Sequence, residues 1–373
     1  MKTNSSCASV LAAGMIANAS SSDLFRVYFG TQAKGAQRGI YMALFDAKTG
    51  KLEEPVHVSD SIRPGFVVIH PDGQYLYATD AAGSFTGGTS HFVSSYRIEE
   101  PSGILTDLNT QAVGTGGPCH ISLSPDSRFL LAADYRGACC ATLPILENFE
   151  IGEPTAVREH SGSGPNPKRQ EKAHTHSFNG SPDGKFALAA DLGIDQILSY
   201  RFDDGDLTLF GETPTAPGAG PRHLVFHPNG QFAYVSMELN GTVSAYEYSD
   251  GTLTEIQTCT TLPGNFAGDN TVSEVQITPD GRFLYVGNRG HESLAIFAVD
   301  PESGKLTALG HESTRGKHPR HFNIDPSGRF LIAANMHSDN VVVFRIDPET
   351  GKLDFTGSEI SVPAPSCVQF FSI

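Results

Sequence analysis

Between residues 174 and 321 the chain carries ten side chains whose types suit proton transfer on an anionic molecule: His174, His176, Arg222, His223, Glu238, Glu274, Arg289, His291, Arg320 and His321. Guanidiniums grip carboxylate or phosphate oxygens through paired hydrogen bonds, and a carboxylate or imidazole beside them can accept and return a proton. Glu238, His176, His174 and Arg289 are the candidates for catalysis; Arg222, His223, Glu274, His291, Arg320 and His321 are the candidates for holding substrate. His174 and His176 stand two apart in "AHTHS", which places both on one side of a strand and also allows a metal site, since imidazole is a common ligand.

What must position these groups is a repeat. Six copies of one pattern recur, among them "IHPDGQYLYATD", "GSPDGKFALAAD" and "IDPSGRFLIAAN", with prolines at 71, 125, 182, 228, 279 and 326, spaced 46 to 57 residues apart. Periods of this size mark solenoids or propellers. Each copy reads as a strand, a tight turn and a second strand, and in most repeats a further hairpin follows, as in "SLAIFAVDPESGKLTA". Four antiparallel strands per repeat make the blade of an all-β propeller. The ends supply a seventh blade, because "APSCVQFF" resembles the first strand of a repeat and "LFRVYFGTQ" its second. Pairing the amino- and carboxy-terminal strands closes the ring and removes open edges. The expectation is a seven-bladed β-propeller over residues 23–373, preceded by a leader at 1–22.

The register of the hairpins then gathers the candidate residues. Six positions before the repeat prolines stand Gly65, Cys119, His176, Arg222, Ser273 and Arg320; five before stand Phe66, His120, Ser177, His223, Glu274 and His321; ten after stand Ala81, Tyr135, Leu192, Glu238, Arg289 and Met336. These columns share the face opposite the Pro-Asp-Gly turns. The same face receives the long inserts "AAGSFTGGTSHF", "REHSGSGPNPKRQEKA" and "LPGNFAGDNTV", and long loops on a compact scaffold are usually functional. Any single Arg or His there could merely cap a strand, but blades three to six together form a cationic crescent with two embedded carboxylates. Arg222 fills the column of His176 in the next blade, and a guanidinium repels a cation, so acid–base or substrate-binding roles are preferred to metal ligation. No metal and no cofactor is expected.

Composition narrows the partners. A formal net charge of −15 excludes general binding to nucleic acid or anionic membrane, so an anionic substrate needs a local basic pocket. The six cysteines, at 7, 119, 139, 140, 259 and 367, have neither zinc-site spacing nor the density of a disulfide scaffold and read as small buried residues. The apolar run from Cys7 to Ala19 reads in two ways: an export signal ending in Ala17-Asn18-Ala19, giving a periplasmic protein, or an unstructured leader on a cytoplasmic one. No later run is long and apolar enough to span a membrane.

The segments "GSGPNPKRQEKAHTHS", "GAGPRHLVFHPNGQFAYVSMEL", "FLYVGNRGHESLAIF" and "HPRHFNIDPSGRFLIAAN" resemble the lactonase family of seven-bladed propellers, which holds the propeller-type 6-phosphogluconolactonases and the carboxymuconate lactonizing enzyme. The resemblance spans Val27 to Phe371 and implies a metal-independent site on the ring face. It also implies that the His of "HTHS", Arg222 of "GPRH", Glu238 of "MEL" and Arg289 of "NRGH" form the catalytic group. The sequence departs from the family at "SEVQ", where Gln276 replaces a frequent His, and at "ADYRGA", where Arg136 replaces glycine. The leading expectation is hydrolysis of an anionic sugar lactone, 6-phosphogluconolactone first, by a monomer or small homo-oligomer. The alternatives are a carboxymuconate-type cycloisomerase and a propeller that binds a ligand or protein without turnover.

Overall fold

A computed structural model of the chain describes residues 23–80, 92–114 and 116–373. The leader with Cys7, and most of the insert that begins at Ala81, lie outside the described residues.

Each repeat turns where its sequence says it should. In blade five the Asp280 carboxylate accepts from the Thr278 hydroxyl at 2.5 Å and from the Arg282 amide at 3.1 Å, while Gly281 takes the left-handed conformation at φ 77°. The strand that follows each turn is mostly apolar and ends on a polar residue in several blades, as in Phe186–Asp191 and Phe330–Asn335, where every residue is buried. A middle strand is covered on both faces by neighbouring blades, so it shows no alternation. The outermost strands do face solvent and lose that continuity, as in Asp206–Pro214.

Six sheets of four antiparallel strands and a seventh built from both ends of the chain form the ring. The innermost strands are Val67–Ile69, Pro118–Leu123, Thr175–Gly180, Pro221–Phe226, Thr271–Ile277, Pro319–Ile324 and Pro365–Ser372, each packed on the next around the axis. Closure is as expected: Pro365–Ser372 runs antiparallel to Leu24–Thr31, from Phe25 opposite Ser372 to Gly30 opposite Cys367. Phe29 and Phe45 of this blade pack into one cluster with Phe330 and Ile332 of blade six. The outer edge of blade seven departs from the four-strand plan, because Lys51–Leu52 and Val56–Ser59 pair separately with Ile40–Asp46. Pro55, which has no amide hydrogen for the ladder, stands between them.

One irregularity repeats and positions the site. In blades two to six the innermost strand carries a register shift at its site-face end: near Cys119, between Thr175 and Ser177, between Pro221 and Leu224, between Val272 and Val275, and between Pro319 and His321. A bulge inserts an extra residue and re-aims its side chain. Two successive residues can then face the axis, which regular alternation forbids.

Candidate active site

A cavity of about 880 Å³ opens on the face that carries the columns, and His176, Arg222, His223, Glu238, Arg289, Arg320 and His321 all line it. Arg222 with His223, and Arg320 with His321, are the successive pairs that the bulges allow.

Glu238 is the hub. It follows the strand Phe232–Met237, its amide donates to the Gly220 carbonyl at 2.8 Å, and its own carbonyl accepts from the Val272 amide at 3.1 Å. Its Oε2 lies 3.1 Å from Arg222 Nε, 2.9 Å from Arg289 Nη2 and 3.7 Å from His176 Nε2. Its Oε1 accepts from Arg169 Nη2. Only 2 % of Glu238 is exposed. Burial opposes its charge, but Arg289, Arg222 and Arg169 together outweigh burial and hold the carboxyl well below the usual carboxylate range. Burial and the Arg289 charge push Arg222 down to about 9, and burial followed by the Arg222 charge keeps the His176 imidazole neutral at physiological pH.

A second carboxylate sits deeper, near the axis. Glu274 Oε2 is 2.8 Å from His223 Nδ1 and 3.2 Å from His321 Nε2, while its Oε1 accepts from the Gln276 amide at 3.3 Å. His321 Nδ1 accepts from the Val368 amide, so its Nε2 carries the hydrogen that Glu274 receives. Phe66 meets the rings of His120, His223 and His321 with centroids 4.5, 5.9 and 5.4 Å away. This layer closes the cavity floor.

Seven Lys and Arg residues line the cavity (Lys34, Arg63, Arg136, Arg169, Arg222, Arg289 and Arg320) against two carboxylates, Asp80 and Glu238. A basic pocket thus lies in a chain of net charge −15. Arg320 has no ion-pair or hydrogen-bond partner among the described residues, and burial and the Arg289 charge both act against its own charge. An anion bound there would relieve that cost. Among the described residues, no three His, Cys, Asp or Glu side chains are arranged to hold a metal ion.

The family model described as "Lactonase, 7-bladed beta-propeller" matches residues 26–370. The chain belongs to this lactonase family. Among its relatives is the 6-phosphogluconolactonase of Bacillus subtilis, 39% identical over 345 residues that cover 92% of this lactonase and 97% of that protein. An uncharacterized protein of Staphylococcus saprophyticus is 36% identical over 307 residues, 80% of this chain and 84% of its own. Among solved structures, the periplasmic gluconolactonase PpgL of Pseudomonas aeruginosa superposes with a TM-score of 0.87 at 34% identity, covering 94% of this chain and 99% of that one.

Three residues expected in the lactonase site stand off the cavity wall. Glu274 reaches it only through His223 and His321. His174 precedes the strand Thr175–Gly180; its ring stacks on Tyr135 at 4.3 Å, with Nδ1 2.9 Å from the Tyr135 carbonyl and Nε2 3.0 Å from Glu171. Both of its nitrogens are thus engaged away from Glu238, and of the histidine pair it is His176 that lines the cavity. His291 lies in the turn after Arg289, which carries the chain outward to the second hairpin; its ring meets Phe266 and His311, and Nδ1 is 2.6 Å from the Ser293 hydroxyl.

Other wall residues escape a search for charge in the columns. Arg169 belongs to the insert 158–173, and the insert itself was the signal. Tyr135 and Cys119 occupy the columns but are uncharged; Cys119 Sγ lies 3.2 Å from the His176 carbonyl. Arg136, the departure from glycine, also lines the cavity. The five described cysteines are free, and Cys139, Cys140 and Cys367 are buried as expected.

Proposed function

We propose that this lactonase hydrolyses an anionic sugar lactone, 6-phosphogluconolactone to 6-phosphogluconate. The observation that carries the reading is an ionised Glu238 clamped by three guanidiniums inside a cavity with a surplus of cations. Arg320, uncompensated in the cavity wall, adds to the positive field that draws the anionic substrate in. As water attacks the lactone carbonyl, Arg222 and Arg289 share the developing oxyanion, which is the moment at which fixed donors contribute most. Their partial withdrawal from Glu238 restores its affinity for a proton, so the carboxylate receives the proton that the water loses. The ring C–O bond breaks and the leaving alkoxide takes a proton passed through His176, whose Nε2 is 3.7 Å from Glu238. The names of the relatives support a lactone as substrate.

The test is a comparative assay on 6-phosphogluconolactone, plain gluconolactone and carboxymuconate, corrected for spontaneous hydrolysis. Glu238→Gln is expected to lower turnover roughly a hundredfold or more while the circular dichroism spectrum is retained. Near-native turnover in that variant removes Glu238 from the chemistry. Turnover of carboxymuconate without lactone hydrolysis assigns the chain to the cycloisomerase reading instead.

A further inference from the structure

Accepting the cavity as a lactone site, we infer that Arg63 and Gln32 form a phosphate subsite on the wall opposite Glu238. Arg63 lies on the link between Val56–Ser59 of blade seven and Val67–Ile69 of blade one, whereas Glu238 belongs to blade four. In a ring of seven blades those positions face each other across the axis, and both line the same cavity.

The Arg63 segment is fixed in both backbone and side chain. Its backbone sits in the left-handed region at φ 56°, where a non-glycine residue costs free energy and persists only if its surroundings enforce it. They do: the Ser61 hydroxyl lies 2.6 Å from the Tyr96 hydroxyl, the Ile62 amide donates to Asp80 Oδ1 at 3.3 Å, and the Gly65 amide donates back to the Arg63 carbonyl at 2.7 Å. The side chain is fixed as well, with Nε and Nη2 both donating to Gln32 Oε1 at 3.2 Å. The Gln32 backbone is anchored in turn, its main-chain amide donating to the Ala364 carbonyl at 2.9 Å. A β-carbon at Gly65 would overlap the Gln32 amide nitrogen, so the absence of a side chain there leaves room for the pair.

Nothing in this arrangement neutralises the guanidinium. No carboxylate pairs with Arg63 among the described residues, and both oxygens of the nearby Asp80 accept hydrogen bonds, from the Ile62 amide and the Ser94 hydroxyl. Strained backbone and an ordered arginine both cost free energy. A bound anion offsets that cost, and the planar fork of arginine, with the Gln32 amide beside it, matches the oxygens of a phosphate. The ligand class is therefore an elongated sugar acid or lactone whose ester end lies at Glu238 and whose terminal phosphate lies at Arg63.

The measurement is calorimetric titration of the acid products, 6-phosphogluconate and gluconate, which needs no turnover. Wild type is expected to bind the phosphorylated acid roughly tenfold more tightly or better, and Arg63→Met to cut that preference by roughly tenfold. Gln32→Leu, which frees Arg63 without removing it, gives a smaller loss in the same direction, and Arg63→Lys keeps part of the preference. Circular dichroism confirms that each variant is folded. A preference in Arg63→Met equal to that of wild type, or no preference in wild type, overturns the subsite. A preference that Arg63→Met loses, in a wild type that hydrolyses no lactone, supports the subsite and overturns the proposed reaction instead.

Discussion

Glu238 and Glu274 are the same residue type at similar burial, yet their partners differ in kind. Three guanidiniums carry permanent charge against Glu238, whereas Glu274 is met by two imidazoles, a side-chain amide and a backbone amide. These arginines stay charged at neutral pH, Arg222 at about 9 included, so Glu238 is the carboxylate whose charge is enforced. The same logic separates two arginines from one column. Arg222 is paired with Glu238 and 2 % exposed, while Arg320 has no partner among the described residues. Arg320→Met should therefore raise the KM for an anionic lactone roughly tenfold and leave the melting temperature level or higher, since an uncompensated charge is removed. Arg222→Met, which orphans part of the Glu238 charge, should cost about 3 kcal/mol or more of stability. Steady-state kinetics beside thermal melts decide the matter; equal destabilisation by both variants would contradict the assignment.

Between residue and ring, two kinds of element do the positioning. The bulges turn successive residues of the innermost strands toward the axis, and loop anchors hold the inserts against them. Asp195, left-handed at φ 54°, accepts from the Gln170 amide at 2.7 Å, from the Gly220 amide at 2.8 Å and from the Gly218 amide at 2.7 Å. Gln170 adjoins Arg169, and Gly220 lies two residues before Arg222. One carboxylate thus fixes two of the three guanidiniums on Glu238 from behind. Asp195→Asn puts amide hydrogens against these donors and should lower kcat/KM about tenfold well below the melting temperature, with a stability loss of about 1–3 kcal/mol. A fall in melting temperature with unchanged kcat/KM would reduce Asp195 to a structural bond.

At the scale of the whole molecule, a propeller draws one strand from every blade to a common axis and buries what those strands carry. His120, His176 and His223 are pushed well below the ordinary histidine range, by burial first, and His321 is lowered to about 4. Their folded values lie below their unfolded ones, so the unfolded chain takes up protons first as pH falls. Stability is then fully present above about pH 6.5 and declines below it, approaching about 1.4 kcal/mol per pH unit for each of these histidines. Glu238, also depressed, contributes above the ordinary carboxylate pKa and loses that contribution only at lower pH. Denaturant unfolding at intervals from pH 7.5 to 5 should show the midpoint falling from near pH 6.5; a flat profile down to pH 5 would mean that these imidazoles are not neutral in the folded state.

The amino-acid sequence alone determined the architecture, because each repeat encodes its own turn, its own buried strand and its own period. Those are local properties, and a proline-aspartate-glycine turn keeps its geometry whatever surrounds it. The columns likewise bring Arg222, Glu238, Arg289 and Arg320 to one face on repeat register alone. Tertiary structure alone decided which of them touch. Alternation makes His174 and His176 equivalent, but Tyr135 and Glu171 claim the ring of His174 while His176 faces Glu238. Arg169 and Arg63 lie outside the repeat, on links whose paths depend on contacts with segments remote in the chain, so no column reveals them. Whether a charged group is satisfied depends on partners far away in the chain, and those distances exist only once the ring has closed.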